Sequence, residues 1–141
     1  MPPIEQVICV AREWVEKAEN DLKNAVHTLK MGKECPTDTV CFHAQQCVEK
    51  YLKALLVAQG LDFTKTHDIE ELMNLAPVAM RPNLNASEQA LLTDYATTAR
   101  YPGYGEIVSW GDARKAVIIA RRARQAIRKH LPRQALSLPI R

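Results

Sequence analysis

An all-α fold, an antiparallel bundle of four to five helices, follows from three features of this sequence. Residues Ile8, Ala11, Val15, Ala18, Leu22, Ala25 and Leu29 recur at alternating spacings of three and four, a heptad-like seam that packs helices nearly antiparallel. The stretch Thr39 to Gly60, placed on a wheel at about 100° per residue, gathers Cys41, Ala44, Cys47, Val48, Tyr51, Leu52, Leu55, Leu56 and Ala58 into one broad apolar arc. No segment alternates as a strand does, and glycine and proline punctuate the chain between helical runs.

Each element follows in order. Pro2 and Pro3 precede the first helix and Gly32 follows it, so it spans about Ile4 to Met31. Trp14 and Asp21 lie beside its seam. The polar stretch from Gly32 to Asp38 is a connection. The central helix comes next, ended by Gly60 in the left-handed conformation. Gln45 sits inside its apolar arc and needs a hydrogen-bond partner, expected on a neighbour's backbone. Thr66 or Asp68 can cap a short helix stopped by Pro77, with capping-box spacing from Asp68 to Glu71, and Asn85 with Glu88 has the same spacing and opens a helix reaching about Ala99. Residues 100–111 break the pattern with one proline and three glycines. The last helix starts near Ser109 or Asp112 and runs to about Leu131, with a narrow seam of Ala113, Ala116, Ala120, Ala123 and Ile127. Residues 1–131 are expected to form one domain, and 132–141 a loosely ordered tail.

A chain of 141 residues, 47% hydrophobic and 25% charged, has the size and balance of one globular domain. No stretch approaches the roughly 20 apolar residues of a membrane span, and the first residues lack the apolar core of a signal peptide. A cytosolic protein with reduced thiols at Cys9, Cys35, Cys41 and Cys47 is expected, and no C-x-x-C pair occurs. Between Asp112 and Arg141 nine Lys/Arg residues face one acid. That asymmetry points to an anionic partner, or to a solvated face with cations near a helix C-terminus.

Two sets of polar residues stand out. His43, Gln46, Lys50 and Lys53 share the side of the central helix opposite its arc, either as a phosphate- or base-binding face or as an exposed stripe. Arg100, Tyr101 and Tyr104 have the guanidinium and ring chemistry that grips phosphates and stacks on bases, although the Tyr-Pro-Gly run can equally set a turn. His67 is expected in a structural role near a helix start. Cys41 and Cys47 fall about 240° apart on the wheel, so a metal set with His43 and His67 does not converge, and neither metal nor cofactor is expected.

Three blocks, CFHAQQCVEKYLKALL at 41–56, KTHDIEEL at 65–72 and YATTARYPG at 95–103, with Asp21-Leu22 in the first helix, together resemble the HEPN domain family (higher eukaryotes and prokaryotes nucleotide-binding). The resemblance implies a helical bundle that forms homodimers. It also implies a role as a nucleotide- or RNA-associated module, beside a minimal nucleotidyltransferase in a toxin–antitoxin pair. Some branches are metal-independent ribonucleases with an Arg-x(4–6)-His motif shared across a dimer, a pattern that Arg124 and His130 meet. There a histidine would serve as general acid or base and an arginine would stabilise charge on phosphorus. A purely structural partner that only neutralises the transferase is the third class. Trp14 and Trp110 are the expected interface anchors.

Overall fold

The computed structural model describes residues 2–97, 99, 101–103 and 107–137. Among them six α-helices follow one another, α1 (Ile4–Leu29), α2 (Thr37–Ala58), α3 (Ile69–Leu75), α4 (Ala86–Ala96), α5 (Trp110–Arg128) and α6 (Arg133–Leu136), with a 3₁₀ turn at Val78–Met80 and no strand. The all-α bundle read from the sequence is the fold observed. The seam of α1 buries Ala11, Val15, Ala18, Leu22 and Ala25, and the small-residue seam of α5 buries all five predicted residues.

The Asn85 cap falls where spacing placed it, and Ser109 is one of the two expected starts of the last helix; Asp68 accepts from the Glu71 N–H, but the Glu71 carboxylate turns to Thr64 and Thr66, so no reciprocal box forms there. Asn85 and Ser109 each accept a bond from the backbone N–H three residues on, while Glu88 and Asp112 return the contact. At the end of α2 the Leu61 N–H donates to the Leu56 carbonyl and Gly60 N–H to Val57, with Gly60 at φ +71°. That pattern is a Schellman close, and the positive φ is why glycine occupies the position. Helix α2 begins two residues earlier than the sequence suggests, because Pro36 occupies its N-cap with φ −69°.

α1 and α2 form the most extensive helix pair, and α5, α4 and α3 also contact α2. Residues Tyr51 to Leu56 are buried without interruption, so α2 is enclosed rather than half-exposed. The region expected to be a loose tail differs in its described part: α6 follows Pro132, Ala135 is fully buried, and Arg12 Nε donates to the Gln134 carbonyl at 2.9 Å. Burying Ala135 and satisfying that carbonyl hold the turn against α1. No described helix is long and apolar enough to cross a membrane.

Candidate functional site

Three charged clusters are built on α2, and two of them close on themselves. Asp21 of α1 accepts from His43 Nδ1 at 2.8 Å through one oxygen and from Lys50 Nζ at 2.5 Å through the other. One turn further on, Glu49 accepts from Gln45 at 3.0 Å, from Lys53 at 2.9 Å and from His67 Nδ1 at 2.8 Å. Gln46 donates to Gln45 at 2.7 Å, and Gln45 makes a longer 3.5 Å contact with the His67 carbonyl. Lys53 Nζ lies over the rings of Trp14 and Phe63, 5.3 and 5.8 Å from their centroids.

The set His43, Gln46, Lys50 and Lys53 is therefore not an exposed stripe. Gln46 and Lys53 are buried, and His43 and Lys50 are half-buried, because α1 and the chain before α3 cover the side of α2 opposite its apolar arc. Each cation already has a carboxylate. Trp14 is half-buried against Phe63, with ring centroids 6.3 Å apart. Trp110 is also half-buried, under Arg114, and its indole Nε1 is buried without an acceptor among the described residues. Tyr101 is exposed; Arg100 and Tyr104 lie outside the described residues. Burial raises the Cys41 thiol to about 12 and raises Cys47 as well, which removes them as ready thiolate ligands. Among the described residues no three His, Cys, Asp or Glu side chains are placed to hold a metal ion.

The third cluster opens onto solvent. Tyr51 OH donates to Glu19 Oε1, and Arg124 Nε donates to the same oxygen at 2.5 Å. Arg128 Nη1 reaches that oxygen at 3.4 Å and the Tyr51 hydroxyl at 3.1 Å. Glu19 and Arg124 of this hub line a groove between α1 and α5, about 800 Å³ in volume, with Lys23, His27 and Lys30 on one wall and Arg121 and Gln125 beside Arg124 on the other. An adjoining hollow of about 360 Å³ shares Val26, Lys30 and Arg121 and continues past Val117 and Ile118 to Arg114 and Trp110. The register explains the shape. Glu19, Lys23, Val26 and Lys30 repeat at four, three and four on α1, and Trp110, Arg114, Val117, Arg121, Arg124 and Arg128 repeat likewise on α5. Two matched stripes, one on each helix, make a trough whose sole lining acid among the described residues is Glu19.

Arg124 thus stands in the groove, but His130 does not. It is exposed beyond the end of α5 and opens on a separate hollow with Ile4, Val7, Ile8, Ala58, Leu131 and Pro132. Within one chain the two residues of the Arg-x5-His pattern face different cavities.

Burial alone would raise the carboxyl of Glu19, yet hydrogen bonds from Arg124 and Tyr51, with the charges of Arg124 and Arg128, hold it below its ordinary 4.5. The folded state then binds this proton more weakly than the unfolded chain. The stabilisation is complete above about pH 4.5 and is lost as pH falls through the lower folded value. Urea unfolding of the wild type is expected to lose midpoint on acidification below pH 4.5 more steeply than that of Glu19→Gln; parallel acid profiles would remove Glu19 as the cause.

A sequence profile of the HEPN domain matches residues 11–130. Among solved structures, TT1696 from Thermus thermophilus is 26% identical with a TM-score of 0.70, over 86% of this chain and 98% of its own. ST0689, an archaeal HEPN homologue, is 26% identical with a TM-score of 0.66, over 94% and 100%. No curated protein matches at a significant level.

Proposed function

Because the chain belongs to the HEPN domain family, we propose that it is a nucleotide- or RNA-binding module whose ligand phosphates lie in the groove between α1 and α5. The observation that carries this reading is the groove wall. Lys23, Lys30, Arg114, Arg121 and Arg124 project from two helices into one trough, where the single lining acid among the described residues, Glu19, is already neutralised by Arg124 and Arg128. Guanidinium groups suit phosphate because their forked donors match its oxygens. A trough of that kind attracts polyanions by electrostatics that weaken with salt.

The polar set on α2 takes a different place in this reading. His43 and Lys50 join α2 to α1 through Asp21, Lys53 and Gln46 belong to the Glu49 cluster that ties α2 to the chain before α3, and all four support the groove rather than line it. The family likeness further supports a homodimer and a minimal nucleotidyltransferase as companion, in a toxin–antitoxin arrangement. Co-purification of the two proteins from one expressing cell tests that pairing.

A metal-independent endoribonuclease is the second reading, favoured by Arg124 standing in the groove while His130 stays exposed near the end of the same helix. A second protomer would have to bring His130 to the Arg124 groove. End-labelled RNA incubated in EDTA with wild type, Arg124→Ala and His130→Ala separates the two. The binding reading expects a shifted but uncut RNA, with His130→Ala binding as the wild type does. Cutting by the wild type that both variants lose would establish the nuclease instead.

A further inference from the structure

We propose that Glu19 is a positioning residue for the groove: by holding Arg124 through Nε it aims the free end of that guanidinium at a bound phosphate. The inference rests on the phosphate-binding reading of the α1–α5 groove and adds a residue whose own charge would oppose an anion.

Depth orders the hub. Tyr51 is fully buried, the Glu19 side chain is 11% exposed, and Arg124 is 34% exposed. A neutral hydroxyl thus forms the base, a carboxylate lies above it and a guanidinium stands at the mouth. An arginine carries five N–H donors in one rigid plane. Committing Nε to the carboxylate leaves the terminal nitrogens of Arg124 for a ligand. A long side chain that is free in solvent loses rotamer entropy on binding. Arg124 is restrained beforehand, because Glu19 Oε1 sits between its Nε and the Tyr51 hydroxyl, which also accepts from Arg128.

Charge and geometry predict opposite signs for the loss of Glu19. Two guanidinium groups and one carboxylate leave a single surplus positive charge at the hub. If Glu19 acted on the ligand only through its charge, removing it would tighten anion binding. If Glu19 positions Arg124, removing it loosens binding despite the added positive charge. The other two α2 clusters offer no such device, since their cations are covered or paired along the α1–α2 seam and open on neither groove hollow.

The experiment uses the full chain and a fluorescein-labelled single-stranded RNA decamer, read by anisotropy, with thermal unfolding as the check that each variant is folded. Glu19→Asp keeps the charge but withdraws the anchor by one methylene, and is expected to weaken binding about fivefold. Glu19→Ala is expected to weaken it about tenfold, and Glu19→Gln, which retains an acceptor at the same reach, to stay within about threefold of wild type. In an Arg124→Ala background the Glu19→Ala loss is expected to vanish. Independently of any ligand, the Arg124 Nε–H resonance is expected to be slow to exchange in the free wild type and fast in Glu19→Ala.

Unchanged binding in Glu19→Asp, tighter binding in Glu19→Ala, or an equal loss with and without Arg124 would each overturn the inference. So would an Nε–H resonance indifferent to Glu19. Failure of the wild type to bind the RNA, or Arg124→Ala binding like wild type, would instead overturn the phosphate reading. A protected Nε–H in that case would mark the Glu19–Arg124 pair as structural and take the positioning role with it.

Discussion

Glu49→Ala is expected to lower the free energy of unfolding by about 3–5 kcal/mol, the cost of removing one partner from a buried ion pair. The Glu49 side chain is 3% exposed, and it holds Lys53, itself 8% exposed, together with His67 and Gln45. Without it Lys53 keeps only the faces of Trp14 and Phe63. A cation over desolvated rings gains about 2 kcal/mol, less than an unpaired buried ammonium loses. Replacing the pair by Glu49→Leu with Lys53→Met should restore much of the stability, since an apolar pair of similar volume carries no desolvation penalty. Urea unfolding measures both, with the midpoint moving and the slope held. A single-variant loss under about 1 kcal/mol would show that the network is dispensable.

Replacing Arg121 and Arg124 together by alanine is expected to cost about 100-fold in affinity for single-stranded RNA, at roughly 1.5 kcal/mol for each charge-assisted hydrogen bond to phosphate. The slope of log K against log salt should become shallower by roughly 1.4, about 0.7 for each phosphate that is no longer neutralised. Arg122→Ala is the matched control. It removes a positive charge from the same helix, but its guanidinium turns away from the groove to pair with Glu88 at 2.8 Å. Binding that follows total charge would fall by a comparable step in Arg122→Ala. Binding that follows the groove would leave that variant near wild type.

Much of the fold is legible in the sequence because the signals are local. Capping boxes at Asn85 and Ser109 span four residues, and the seams of α1 and α5 repeat along single helices. The groove is not legible in the same way, since its walls come from opposite ends of the sequence and nothing local announces their register. Two clues are nevertheless present. Glu19 lies between Val15 and Leu22 at spacings of four and three, so an acid stands on a buried face, where it must be paired. The arginines of α5 lie at the same spacings along one line.

The α2 stripe escapes a sequence reading for another reason. A helical wheel measures angle, not what surrounds the helix, and α2 is covered on more than its apolar arc. His43 and Lys50 find Asp21, and Lys53 finds Glu49, as residues enclosed by neighbours must.

The hub that closes the groove joins residues 105 positions apart, Glu19 and Arg124, whereas the largest helix pair, α1 with α2, is nearly contiguous in the chain. Loop closure over so long an interval comes late in folding, after local pairs have formed. During synthesis α1 and α2 can pair while α5 is still inside the ribosome. A nascent chain therefore has the helical hairpin well before it has the α1–α5 groove, which can close only once α5 has left the ribosome.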